Sequence, residues 1–489
     1  MIKDIRYYLW IGLTLTALFF YPLVSSLSDG IYYMQWQVYN TYELIVCFLI
    51  GMILFASALF FIEKIPSKTV SSLAMMALSF ISLSSFFIHL CRQLGITSSL
   101  IQMSNMKIYG HSMLLLISIL FLIIIILMLF SFKGLIGKII LSIILIISPV
   151  TLVIAMTLVQ YGFKDTLIDI SLKENSGRTE SLPDIYIIIF DELDYDFLYE
   201  DKVIESELEN FSSFSKSSTN YHNATAPGDS TLPSMSGLLL GNRDKDIVVC
   251  HDKLCEKNIE DEKRELDFSE NNIFKKAKSL GYETAIYGWV HEYCQQYAIY
   301  LNSCRTYSTY NYATINNKFS LIDPILTNII LWPHQFPFGL LKIPVYSQYQ
   351  KQMVNGTLNH LISNIDNTES SFVVAHFSIP HIPFVFDEEG FNPPPDPFLQ
   401  NRENYIKQLI YTDKLFGEII NKLKNTSKYD SSIIMVSSDH GYRKLLKRED
   451  WNKVPLLIRF EKNGKAANVN TNVMTEEILF DLFHDENRS

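Results

Sequence analysis

The feature that most constrains this chain is how unevenly its charge is spread. The first 162 of its 489 residues hold eight Lys/Arg and four Asp/Glu, against thirty-three and forty-seven in the remainder. A water-soluble domain of that size needs a charged surface. This stretch has none to offer, so lipid must replace water around most of it. Five apolar runs reach spanning length, about 20 residues each. They lie near Tyr8–Leu27, Leu44–Ile62, Val70–Cys91, Met113–Phe132 and Leu135–Val159. The first carries no clear cleavage signature, and four more follow it, so it is read as a span rather than a signal peptide.

The short loops orient the spans. Lys3 and Arg6 precede the first, Lys64 and Lys68 follow the second, and Lys133 and Lys138 separate the fourth from the fifth. The loop "SDGIYYMQWQVYNTY" between the first two spans has neither Lys nor Arg. Positive charge on one side places the N-terminus in the cytoplasm. Arg92 and Lys107 weaken the bias without reversing it. The expected layout is a five-helix transmembrane domain over 1–160 in the cytoplasmic membrane, a polar connector over 161–182, and an extracytoplasmic domain over 183–489. That last part carries the acidic balance and has no basic stripe, which argues against nucleic acid as a partner. Its cysteines, Cys250, Cys255, Cys294 and Cys304, sit in two local pairs. In an oxidising compartment Cys250–Cys255 and Cys294–Cys304 form the simplest of three connectivities, and the spacings fit a zinc site poorly.

Within 183–489, continuous apolar runs read as strands buried on both faces. "DIYIIIF" stops at Asp191-Glu192, "SFVVAHF" runs into "SIPHIPF", and "SSIIMVSS" stops at Asp439-His440-Gly441. "TAIYGWV" and "VPLLIRF" are further strands, with helical patterns between them. Alternating strands and helices predict an α/β domain with a mostly parallel sheet, whose ligands bind beyond the carboxyl ends of the strands. Three of the strands deliver Asp, Glu or His just past that end.

Taken singly, each of these residues has an ordinary role. Asp191 and Glu192 would end a strand or cap a helix, Asp439-His440-Gly441 would turn the chain, and His381 would sit in a loop between two prolines. His376, inside its strand, reads as a packed core histidine, and His222 and His484 as structural. Thr231, in "NATAPGDSTLPSMSGLLLG", would serve as the N-cap of the apolar helix that follows. Taken together they differ. Two carboxylates, an imidazole and a hydroxyl suit one divalent ion, Zn or Mn foremost, with Mg or Ca as alternatives. An ion on the Thr231 oxygen would activate it as a nucleophile, and the helix N-terminus would supply donors to an anion.

Four motifs in order over about 180–480 resemble the alkaline phosphatase/sulfatase superfamily. "IIIFDE" resembles its first strand with acidic metal ligands, and "STLPSMSGLLLG" its nucleophile segment. "SIPHIPF" resembles its PH-x-P element, and "SSIIMVSSDHG" the strand ending in a metal-binding Asp-His-Gly. The resemblance implies Thr231 as nucleophile and metal contact, Asp191, Asp439 and His440 as metal ligands, and His381 as the substrate-binding histidine. Glu192 falls where sulfatases have a second Asp, which makes it a further candidate ligand. Thr225 and Ser230 are fallback nucleophiles. Thr231 replaces the Cys or Ser that sulfatases convert to formylglycine, and Met235 replaces the Arg of that motif, so formylglycine chemistry is not expected. The layout is similar to that of lipoteichoic acid synthases and phosphoethanolamine transferases. It implies phosphoryl-group transfer from a membrane lipid to an envelope glycan or lipid. A membrane-anchored hydrolase of phosphate or sulfate esters, and an inactive binding protein on the same fold, remain alternatives. The sequence does not identify the oligomeric state.

Overall fold

The computed structural model describes residues 5–21, 41–71, 74–75, 78 and 82, and most of 182–483. Within that last range the exceptions are 202–206, 244–245, 251–252, 258–262, 270, 309–322, 332–338, 368–369, 443–451 and 462–465. Two compact units emerge, one over 1–166 and 310–345, the other over 167–309 and 346–489.

In the first unit, helices α1 (Ile5–Phe19) and α2 (Thr41–Glu63) cross closely. A Cβ on Gly12 would meet the Met52 carbonyl at 2.6 Å, and one on Gly51 would meet the Thr16 methyl at 2.7 Å. Tyr8 donates to Glu63 Oε2 at 2.7 Å, which ties the start of α1 to the end of α2. The expected second span, Leu44–Ile62, lies within α2, whose segment Val46–Glu63 is long and apolar enough to cross a membrane by length and composition. Leu49, Ile53, Leu54 and Phe61 face outward from it, an apolar exposure that a water-facing surface does not favour. The first expected span is described only as the shorter apolar helix α1. Most of the third span, the whole of the fourth and fifth, and nearly all of the connector lie outside the described residues. The segment 310–345 joins this unit, although the sequence pattern places it inside the second. Asn328 Nδ2 donates at 2.8 Å to the carbonyl of Phe19, one of the end groups of α1 that has no partner within its own helix.

The second unit is built on one large sheet. Its strands are β1 (Ile185–Asp191), β2 (Thr219–Thr225), β6 (Glu283–Trp289), β7 (Ser303–Tyr307), β8 (Ser371–Pro380), β11 (Ile433–Ser438), β12 (Lys453–Arg459), β13 (Ala467–Val469) and β14 (Val473–Met474). Strands β3 (Asp246–Cys250), β4 (Lys253–Lys257) and β5 (Lys263–Glu265) form a small sheet of their own. A short hairpin pairs β9 (Phe386–Asp387) with β10 (Gly390–Phe391). The large sheet runs β13-β2-β12-β11-β1-β8-β6-β7, with β14 beside β2. From β11 to β7 every pairing is parallel, as the continuous apolar runs require. Strand β12 is antiparallel to both of its neighbours.

The helices of this unit are α3 (Glu209–Ser215), α4 (Thr231–Leu240), α5 (Ile273–Ser279), α6 (Tyr293–Gln296), α9 (Arg402–Asn425) and α10 (Thr475–Asp481); α7 (Asp323–Ile330) precedes α8 (Gly339–Asn367). The two sheet faces are told apart by strand parity. Phe190 and Phe377 stack 5.4 Å apart on one face, against Phe211 of α3 and Phe416 of α9. Phe372 on the other face meets Phe274 of α5 and Phe483. Every residue from Ile185 to Phe190 is fully buried, and each such apolar side chain contributes roughly 1.5–3 kcal/mol. Strand β1, between β8 and β11, is thus the axis on which the site is hung.

Candidate active site

Asp191 ends β1, and Asp439 follows β11, its parallel neighbour. Register alone therefore brings two carboxylates together. A shift in the pairing of β1 with β8 matches Phe190 to Phe377 but Asp191 to Pro380, which turns Asp191 out of the regular ladder. Glu192 then takes a left-handed backbone at φ 61, uncommon for a side chain of its kind. In that conformation its N–H donates to Asp439 Oδ1 at 3.2 Å, and its carbonyl accepts from the Tyr405 hydroxyl at 2.7 Å.

Thr231 occupies the first turn of α4, after Ser230 in extended conformation. Its hydroxyl does not serve as the cap. It donates to Asp191 Oδ2 at 3.3 Å and lies 3.3 Å from His440 Nε2. Ser234, one turn along, donates to the Asp439 carbonyl and so ties α4 to the loop after β11. Gly241 closes the helix at φ 66, a left-handed C-terminus that glycine takes without strain.

His440 Nδ1 lies 3.0 Å from the Gly441 carbonyl, which can only accept, so the proton belongs on Nδ1. Its Nε2 lies 3.3 Å from Asp439 Oδ2 and 3.8 Å from Asp191 Oδ1. Asp191, His376 and Asp439, all buried, each present a ligand atom within 4.8 Å of the others. Among the described residues, His376 Nε2 and Asp439 Oδ2 have no hydrogen-bond partner, an arrangement costly in a buried site unless a cation binds there. Burial lowers the His376 imidazole to about 3, leaving it neutral and able to ligate. Asp439 is held below the ordinary carboxylate value, since burial, which opposes ionisation, is outweighed by the His440 imidazole and the Glu192 N–H. The donor set of two carboxylates with imidazole nitrogens fits a divalent ion of the zinc or manganese kind.

Of the expected site residues, Asp191, Thr231, Asp439 and His440 converge. Glu192 converges through its main chain, and its carboxylate is not among the three clustered groups. His381 lies alongside. Its N–H donates to the Asp191 carbonyl at 3.1 Å, its Nδ1 donates to the Ile382 carbonyl, and its ring packs 5.5 Å from Trp289. Thr225 and Ser230 are engaged elsewhere, Thr225 with the Val473 carbonyl at 3.4 Å and Ser230 with Asp229 at 3.3 Å.

Two groups escape the sequence reading. The first is His376, taken there for a core histidine. It is fully buried, but its parity on β8 sets it on the Asp191 side of the sheet. The second is the turn after β6. His291 Nε2 lies 3.2 Å from the Thr231 carbonyl, and burial lowers its imidazole to about 4, so the neutral ring donates there. The Tyr293 hydroxyl lies 2.9 Å from His376 Nδ1, and Trp289 packs between His376 and His381. The signal was present, because "GWVHEY" also follows a parallel strand, like the segments that were singled out. Cys294, the next residue, is disulfide-bonded to Cys304 as expected. Cys255 is also disulfide-bonded, while the side chain of Cys250 lies outside the described residues.

Among solved structures, a protein of the alkaline phosphatase superfamily from Vibrio parahaemolyticus is 14% identical, covering 65% of this chain and 69% of its own, with a TM-score of 0.40. The phosphonate monoester hydrolase of Agrobacterium radiobacter is 12% identical, covering 61% and 72%, at 0.38. A 2-O GAG sulfatase is 13% identical, covering 62% and 70%, at 0.41. No curated protein matches the chain significantly. The family model described as Sulfatase matches residues 183–485, more than half of the chain. The chain belongs to the sulfatase family.

Proposed function

We infer that this protein is a metal-dependent phosphoryl-group transferase with Thr231 as its nucleophile. The observation that carries the reading is the Thr231 hydroxyl, set at a helix N-terminus 3.3 Å from both Asp191 Oδ2 and His440 Nε2. A hydroxyl needs such acceptors to give up its proton, and a helix N-terminus favours the anion it attacks. Asp191, Asp439 and His376, with His440 beside them, would hold the ion. Once bound, the ion would lower the hydroxyl's pKa and offset charge on the phosphoryl group. Thr231 Oγ1 bonds to phosphorus, its proton passes to a neighbouring acceptor, and the leaving alkoxide departs from the opposite side. His381, whose Nδ1 is committed to Ile382, presents Nε2 to the group being transferred. An acceptor hydroxyl then attacks phosphorus, the bond to Thr231 Oγ1 breaks, and the acceptor's proton, taken up by the same neighbouring group, returns to Oγ1.

The apolar helix α2 and the charge-poor N-terminal third support a multi-pass anchor in the cytoplasmic membrane, with 183–489 outside as the catalytic domain. An anchor of that size suits a phosphodiester carried by a membrane lipid, with an envelope glycan or lipid as acceptor. Membership in the sulfatase family equally supports a hydrolase, which would share each of these ligands and use water as acceptor.

The test is phosphodiester cleavage by the full chain in detergent, with added Zn or Mn. Thr231→Ala is expected to lower turnover at least about 1,000-fold while metal binding persists. Trapping of label on Thr231 from a phospholipid head group, followed by release to a sugar acceptor but not to water, supports transfer. Release to water alone supports the hydrolase. Retention of activity in Thr231→Ala overturns the nucleophile assignment.

A further inference from the structure

The turn after β6 touches both halves of the site and has no evident need to. Gly288 brings the strand so close to β8 that a Cβ there would meet the His376 Cβ at 2.9 Å. Val290 then takes φ 71. For a β-branched residue this is a costly conformation that persists only where the surroundings enforce it. The reversal turns Tyr293 back under the sheet, where it is fully buried, with its ring 5.2 Å from that of His291 and nearly parallel to it. Its hydroxyl thereby comes 2.9 Å from His376 Nδ1.

We propose that Tyr293 is the positioning residue of the metal site, accepting the Nδ1–H of His376 so that Nε2 faces Asp191 and Asp439 as a ligand. The opposite tautomer would put a hydrogen on Nε2. Among the described residues that hydrogen finds no acceptor, since Asp191 Oδ2, the ion-pair contact of Nε2, is 3.8 Å away and Nε2 has no hydrogen-bond partner. With the proton on Nδ1, the hydroxyl oxygen accepts it and the lone pair on Nε2 points at the cluster. An oxygen acceptor on the far nitrogen fixes both the tautomer and the orientation of a metal-bound histidine. The Cys294–Cys304 disulfide follows Tyr293 directly and fastens the turn to β7. His291, stacked on Tyr293, holds the Thr231 carbonyl, so the same turn spans from ligand to nucleophile. This inference rests on the cation site proposed above.

The experiment measures zinc affinity of the full chain in detergent by competition with a chromophoric chelator. Tyr293→Phe keeps the ring and its stacking and removes only the oxygen. It is expected to weaken binding about tenfold, as loss of such an outer partner does, while the metal-free protein still unfolds in one transition, at a midpoint lowered by the buried Nδ1–H that loses its acceptor. In a His376→Gln background the same substitution is expected to add less than twofold, because its effect passes through His376. Cobalt substitution gives an independent reading, with Tyr293→Phe expected to alter the visible ligand-field bands. Equal zinc affinity in Tyr293→Phe and the parent would overturn the role of Tyr293 and leave the cation site standing. A full tenfold loss in the His376→Gln background would also overturn it, by showing that Tyr293 acts elsewhere. A parent chain that binds no ion would remove the cation site and this inference together.

Discussion

Thr231 shows how one residue can look ordinary in sequence and exceptional in place. A threonine before an apolar helix is expected to cap it, but here Ser230 holds the cap position without a side-chain capping bond, and the Thr231 hydroxyl is turned toward Asp191 and His440. His376 is the converse case. Its strand is apolar on both sides of it, which in sequence marks a core residue, and burial alone does not distinguish a packed ring from a ligand. The distinction lies in an Nε2 that has no hydrogen-bond partner among the described residues, and no sequence pattern reports that. His376→Ala is expected to lower zinc affinity at least about 100-fold, beyond what outer partners contribute, as read by metal content after dialysis. Retention of one ion per chain would return His376 to the core.

At the scale of elements, the strands were legible because burial on both faces leaves continuous apolar runs. Their carboxyl ends were legible because acidic residues and histidines follow at once. Strand β2, "TNYHNAT", was not recognised, being half-polar along its length and paired with the antiparallel β12. Long-range capping was also invisible. Asp413 of α9 accepts from the N–H groups of Asn210 and Phe211 at 3.1 and 2.7 Å, and from Asn210 Nδ2 at 2.8 Å, closing the start of α3 from more than two hundred residues away. Burial lifts its carboxyl above the ordinary value, against the bonds it accepts. The helices meet tightly there, since a Cβ on Gly417 would come within 2.4 Å of Asn210 Oδ1. Asp413→Ala leaves those donors buried without an acceptor and is expected to cost about 3 kcal/mol. The check is a lowered thermal midpoint with zinc affinity unchanged, since α3 lies on the face away from Asp191.

For the whole molecule, the site gathers buried carboxylates and imidazoles that a divalent ion would hold together, so the ion should contribute to stability as well as to chemistry. Chelation is expected to lower the thermal midpoint, and restoring the ion at a hundredfold excess over its dissociation constant to recover about 2.7 kcal/mol. An unchanged midpoint would mean that the ion does not bind preferentially to the folded chain.

The central position of β1 also sets the order of assembly. Its partners on both sides come late in the chain, and the bond from Glu192 to Asp439 spans 247 residues. Contacts that far apart close slowly, after the intervening segments have formed. The cluster of Asp191, His376 and Asp439 is therefore complete only once β11 docks. An ion bound there would be taken from the medium in which folding finishes, so the supply of metal in that compartment, as much as the donor atoms, would decide which ion the protein carries.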